Sequence, residues 1–267
     1  MIVDTHTRDH FQRDRAYHDR TARLYDEVVI EPRRFANRLL FAQVERFVPR
    51  GGAMLDLACG TGHMLIRYGE RFERSTGIDQ SRGMLEEVER KLEPHRLERI
   101  ELITAEVFDF LATDRRTYDF VTCVGFVHHL PVELYGHLLD QIRPRLSCDG
   151  VLMLAEPVVT IAKAPPVLVQ RWNERSVMRE RARLLANAET ESVEAPLPYE
   201  TFAGVPMERG FRRLCLARGW ELFPHHLPEW LSDRIAIRLL DALYGRSGSI
   251  VLLVLARAEG PTASSER

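Results

Sequence analysis

The sequence predicts an α/β protein: a doubly wound, mostly parallel seven-stranded sheet with its last strand antiparallel, a helical N-terminal cover and an inserted helical cap. Three observations point there. Between positions 53 and 156 short apolar runs alternate with amphipathic stretches, as consecutive βα units on a parallel sheet require. A glycine-rich turn closes the first of these runs. The 267 residues, 45% of them hydrophobic, are enough to bury one substantial core.

The elements follow in order. Residues 1–50 form the N-terminal cover, with Phe35, Leu39, Leu40, Val44 and Phe47 at helical spacing. The core is expected over 51–157, with strands at 53–58, 75–79, 100–105, 118–124 and 151–155. Ser81 is the expected N-cap of a helix that places Met84, Leu85, Val88 and Leu92 on one face. Leu134, Leu138, Leu139, Ile142 and Leu146 make a similar stripe, and Asp149-Gly150 supplies a turn into the fifth strand. Residues 158–218 are too long for an ordinary crossover and read as an inserted cap that binds the acceptor. Closing strands at 220–226 and 249–256, separated by a helix over 229–243, complete the core within 219–258, and 259–267 is a disordered tail.

Composition narrows the function. A formal charge of -2 provides no global positive field for a phosphate backbone, so nucleic acid is not an expected partner. The charged N-terminus and the lack of a long apolar run point to a cytoplasmic chain without a membrane span, working as a monomer or homodimer. Lys occurs only at positions 91 and 163, an Arg bias expected of a GC-rich bacterial coding sequence. Cys59, Cys123, Cys148 and Cys215 are widely spaced and read as reduced thiols packed as small hydrophobes.

The chemistry is concentrated at strand ends. Asp56-Leu57-Ala58-Cys59-Gly60-Thr61-Gly62 ends the first strand and opens a helix; Gly60 and Gly62 permit a sharp turn and close approach to a ligand, beside unpaired helix N–H groups. No Gly-Lys-Ser/Thr follows, and Leu65 stands where a dinucleotide fingerprint wants a third glycine. Asp56 suits a ligand carrying an ammonium group. Asp79, seventeen positions after Gly62, is placed to accept both hydroxyls of a ribose. Glu106 is a candidate acceptor for an adenine amino group, Val107 offers its backbone, and Met84 can pack on the ring.

The run from Met54 to Gly62, the segment Gly77-Ile78-Asp79-Gln80-Ser81, the triplet Thr104-Ala105-Glu106 and the stretch from Phe120 to Pro131 together resemble the small-molecule (type 11/25) branch of the class I, Rossmann-like S-adenosylmethionine-dependent methyltransferases, over roughly residues 17–157. The resemblance implies that Asp56 and the glycine turn, with Ala58, Gly60 and Gly62, hold the methionine moiety, Asp79 and Gln80 the ribose, and Glu106 with Val107 and Met84 the adenine. It places Tyr25 over the cofactor and Val124 beside it. Ala58 departs from the first glycine of many relatives, and Glu106 from the commoner Asp. The same resemblance implies a small-molecule acceptor methylated on O, N or C, with S-adenosylhomocysteine as product; methylation of RNA or protein, or cofactor binding without transfer, are the alternatives.

His128 and His129, after the fourth strand, are candidate general bases, with a structural cap as the competing role; Glu156, at the end of the fifth strand, is a third candidate facing the crevice. No acidic cluster occupies the loop after the fourth strand to hold magnesium, and no metal is expected. His225-His226 read as surface imidazoles.

Overall fold

The computed structural model describes residues 5–159, 195–219 and 250–258. Strands β1 (Ala53–Leu57), β2 (Arg74–Asp79), β3 (Ile100–Thr104), β4 (Tyr118–Val124), β5 (Leu146–Val159), β7 (Phe211–Gly219) and β8 (Ile250–Arg257) form one sheet in the order β3-β2-β1-β4-β5-β8-β7. A two-residue strand, β6 (Leu197–Pro198), pairs with β5 off this path. β1 to β5 run parallel, and β8 is antiparallel to both β5 and β7. Seven strands in the main path with the last in sequence reversed is the topology the βα pattern predicts.

Alternation along β1 shows why the sheet is wound on both faces. Leu55 and Leu57 join one core cluster with residues of α6 (Val107–Thr113), α7 (Val132–Ile142) and α8 (Tyr199–Glu208). Met54 joins the other, with α2 (Arg34–Ala42), α3 (His63–Tyr68) and α4 (Arg82–Lys91). A strand sandwiched this way has no solvent face, which is why all five of its residues are buried. α1 (Thr5–Tyr25) lies against α4 and forms the cover. A short helix, α5 (Pro94–Leu97), precedes β3.

Three expectations change. A strand not expected from the sequence, Phe211–Gly219, and α8 before it occupy residues assigned to the cap, so elements of the core begin at 197. The apolar alternation of Phe211, Leu214, Leu216 and Ala217 is broken by Arg212 and Arg213 and by a register shift between Arg213 and Cys215, which hides its period. Asp149-Gly150 is not a turn into β5 but lies within it, where the register with β4 shifts; a Cβ on Gly150 would stand 2.9 Å from Ser147 N and Tyr118 O. Cys148 is exposed and does not pack as a core hydrophobe, whereas Cys59 and Cys123 are buried and Cys215, half-buried, packs against the core. The expected helices over 170–188 and 229–243, the strand at 220–226 and His225-His226 lie outside the described residues.

Candidate functional site

The carboxyl ends of β1, β2 and β4 meet at one edge, the position where open α/β sheets bind ligands. β1 register sets the geometry: Asp56 stands opposite Gly77 of β2 and Thr122 of β4. Thr122 Oγ1 donates to Asp56 Oδ1 at 2.6 Å, while Asp56 Oδ2 is buried without a hydrogen-bond partner among the described residues. Burial pushes the Asp56 carboxyl up to about 7, the Asp79 charge adds to this, and the Thr122 bond opposes it.

Past Leu57 the backbone turns through three left-handed residues, Ala58 (φ 52), Gly60 (φ 52) and Gly62 (φ 83). The two glycines serve different ends. A Cβ on Gly60 would meet nothing within 4 Å, so the turn there borders open space; a Cβ on Gly62 would meet Val88 Cγ2 at 2.9 Å, so this glycine lets α3 pack against α4. Ala58 bears a left-handed conformation without being glycine, a local strain of about 1–2 kcal/mol.

Asp79 ends β2 and accepts from Gly60 N on Oδ2 (2.8 Å) and from Ser81 N on Oδ1 (2.8 Å). Each oxygen keeps a lone pair, as binding two hydroxyls requires. Burial raises its pKa. Met84, buried in the first turn of α4, donates its N–H to Ser81, the N-cap expected from sequence. Glu106 caps α6: its Oε2 accepts from Phe108 N (2.9 Å) and Asp109 N (3.2 Å), and burial pushes its carboxyl up to about 7. Val107 follows, buried, and Val124 stands half-buried at the end of β4.

The loop after β4 is organised by Glu156. This carboxylate, 1% exposed, accepts from Phe126 N (2.9 Å) and Val127 N (2.7 Å) on Oε1, and pairs through Oε2 with His128 Nδ1 at 2.7 Å. The sequence left Glu156 facing a crevice; its partners among the described residues are the loop backbone and His128. His129 points elsewhere, toward α1, where its Nδ1 stands 3.0 Å from Asp14 Oδ1.

Sequence reasoning placed a helical cover here but missed the contacts that α1 makes. Gln80 Nε2 donates to Asp14 Oδ2 (2.9 Å), Ser81 Oγ and Gly83 N donate to Asp19 Oδ1, and Thr61 Oγ1 and Lys91 Nζ donate to Asp26. Gln80 therefore ties β2 to the cover in this structure. The spacing of Asp14 and Asp19 along α1, with Asp26 just past its end, was the available signal. Tyr25 closes α1, half-buried, its ring 6.0 Å from that of His18.

Sheet order, the glycine turn and the carboxylates at the ends of β1 and β2 define a class by fold: a Rossmann-like, mostly parallel α/β sheet with a ligand-binding edge at the ends of β1 and β2. Residues 54–150 match the family described as "Methyltransferase domain". YqeM of Bacillus subtilis, named as a methyltransferase, is 45% identical over 49 residues, and an uncharacterised protein of Haemophilus influenzae is 28% identical over 138 residues. Those matches cover 18% and 50% of this chain, and 20% and 52% of the two proteins' own lengths, so the chain spans about half or less of the curated relatives it matches. DhpI, solved in complex with SAH, is similar in fold along 96% of this chain and 100% of its own, with a TM-score of 0.65 and 15% identity.

Proposed function

We propose that the chain moves the methyl group of S-adenosylmethionine to an O, N or C nucleophile of a small-molecule acceptor, releasing S-adenosylhomocysteine. The observation that carries this reading is Asp56: a buried carboxylate with one oxygen unpartnered, beside a glycine turn that borders open space. An isolated buried carboxylate is costly, and a ligand ammonium arriving there supplies its missing charge. The residues fit the cofactor. Asp56 and the backbone around Gly60 would hold the amino acid end, Asp79 the ribose, and Met84, Glu106 and Val107 the adenine side, with Ala58, Gln80, Tyr25 and Val124 around them. The cofactor supplies an already activated methyl group, so the protein's work is mainly alignment and exclusion of water.

A small acceptor is supported by the charge of -2, which provides no global positive field for a nucleic acid. No described helix is long and apolar enough to cross a membrane. His128 and Glu156, spent on each other and on the loop backbone, serve as its clamp. His129, turned toward α1, is the loop imidazole left for the acceptor side. Calorimetry with S-adenosylhomocysteine tests the cofactor half, and 1:1 binding is expected. Incubation with labelled cofactor and a metabolite extract tests the rest: labelled small products with S-adenosylhomocysteine support the reading, and label appearing only in macromolecules overturns the small-acceptor assignment.

A further inference from the structure

Asp14 and His18 lie one turn apart on α1, and His129 reaches them from the loop after β4, more than a hundred residues away in sequence. Asp14 and His129 side chains are 6% and 9% exposed, and that of His18 16%. Asp14 Oδ1 and His129 Nδ1 are both buried with no hydrogen-bond partner among the described residues, although they stand only 3.0 Å apart. At that distance the carboxylate and the imidazole form a buried ion pair, and His18 stands against the same carboxylate oxygen. One buried carboxylate with two imidazoles converging on it is also a donor set for a cation.

We propose that Asp14, His18 and His129 form a divalent metal site of the two-histidine, one-carboxylate kind, suited to zinc or a similar borderline cation. With metal–ligand bonds of about 2.0–2.2 Å, neighbouring ligand atoms stand roughly 3.0–3.6 Å apart. Here Asp14 Oδ1 lies 3.0 Å from His129 Nδ1 and 3.5 Å from His18 Nδ1, and donor atoms of all three residues lie within 4.8 Å of one another. His18 Nδ1 now bonds the Asp14 backbone carbonyl at 2.9 Å and exchanges that bond for the metal. Two imidazoles among three donors disfavour magnesium and calcium, which take oxygen.

The surroundings agree. Gln80 Nε2 holds Asp14 Oδ2 at 2.9 Å, leaving Oδ1 to the ion and orienting the carboxylate from outside, and the His129 backbone carbonyl is anchored by His10 Nε2 at 2.6 Å. Three protein ligands leave a coordination position open, as in catalytic rather than structural sites. The position flanks the glycine turn, between the ends of β2 and β4. Resting on the methyl-transfer reading, the open position would take an acceptor hydroxyl and ease loss of its proton.

The test uses the full chain, freed of metal by chelator and dialysis, with zinc or cobalt(II) chloride alone as probe. Calorimetry is expected to give one ion per chain, with affinity lowered ~100-fold or more in Asp14→Asn and His129→Ala, ~10-fold in His18→Ala, and magnesium failing to compete. Cobalt(II) is expected to give a visible absorption band that Asp14→Asn abolishes. Circular dichroism reports whether each variant folds; should His129→Ala fail, Asp14→Asn and His18→Ala carry the comparison. The proposal is overturned by no stoichiometric binding, or by binding that Asp14→Asn and His18→Ala leave unchanged, which marks surface histidines as the ligands. S-adenosylhomocysteine calorimetry on the same samples separates the two readings, since metal binding without nucleoside binding sinks methyl transfer alone.

Discussion

At the scale of single residues, Gly60 and Gly62 look alike in sequence and carry opposite consequences. A methyl group on Gly60 points into open space at the turn, so Gly60→Ala costs about 1–2 kcal/mol for the left-handed conformation while blocking close approach of a ligand. Gly62→Val drives a branched side chain into Val88 and the α3–α4 packing. The expected outcome is that Gly60→Ala loses at least ~10-fold in S-adenosylhomocysteine affinity with a melting temperature only a few degrees lower, whereas Gly62→Val loses both. Equal damage from both would show that the first glycine, too, is a packing residue. Calorimetry and thermal melts read the two quantities.

Asp56 makes a second prediction at this scale. Its folded pKa is raised to about 7 from 3.8, so the folded state prefers the protonated form. For such a group the sign runs against stability: the cofactor-free protein loses stability as pH rises from about 4 through about 7, by a few kcal/mol at most. Asp56→Asn should therefore match the wild type near pH 4, exceed it in melting temperature at pH 8, and bind neither S-adenosylmethionine nor its product. A wild-type advantage at pH 8 without ligand would mean the carboxylate finds a compensating charge inside the protein.

Among the elements, the loop after β4 shows how a motif can be visible while its chemistry is not. The His-His-Leu-Pro run stood out in the sequence, but the residue that organises it, Glu156, lies nearly thirty positions on, at the next strand end. Glu156→Ala strands the N–H groups of Phe126 and Val127 and the ring of His128; at about 1–3 kcal/mol per buried orphan the loss is about 3 kcal/mol or more, read by urea unfolding. Glu156→Gln keeps an acceptor oxygen and should lose less. His128→Ala should likewise cost stability first. A Glu156→Gln variant as stable as the wild type would show that the loop stands without its clamp.

The same contrast explains what was legible. Strands β1 to β4 declared themselves because each is apolar, short and bounded by polar turns, and Asp56, Gly60, Gly62 and Asp79 because their spacing follows from the βα repeat. β7 did not, since Arg212, Arg213 and a bulge break its alternation. Glu106 was legible as a strand-end acid, yet not as the N-cap it is. The Asp14, His18 and His129 cluster was out of reach because it joins two helical turns that only the folded sheet brings together.

For the molecule as a whole, the decisive contact is between the N-terminal cover and the sheet edge. Side-chain bonds tie α1 and the residue that follows it to the loops after β1 and β2 and to α4: Asp14 takes Gln80, Asp19 takes Ser81 and Gly83, and Asp26 takes Thr61 and Lys91. Helix approach is closest at Gly83, where a Cβ would lie 3.1 Å from the Asp19 carbonyl oxygen and 3.3 Å from Ala22 Cβ. A larger residue there pushes the cover off. α1 packs Tyr17 and Ala22 in buried positions, and its polar ties couple it to the loops, so that ordering those loops orders the helix further. Hydrogen exchange should therefore show α1 amides gaining protection, by ~10-fold or more, when S-adenosylhomocysteine saturates the protein, with β1, β4 and β5 already protected without it. Gly83→Leu should raise α1 exchange in the free protein and weaken the ligand severalfold, because the binding-competent closed form is then a smaller fraction of the population. The expected tertiary cap over 158–218 does not enter this test, since its described end, 197–218, is α8 and β7 in the core, where Phe202 is fully buried and Arg218 stacks 4.2 Å from the Tyr199 ring centroid. Unchanged α1 protection on ligand addition, together with wild-type affinity in Gly83→Leu, would make the cover a permanent part of the core and leave cofactor exchange to another opening.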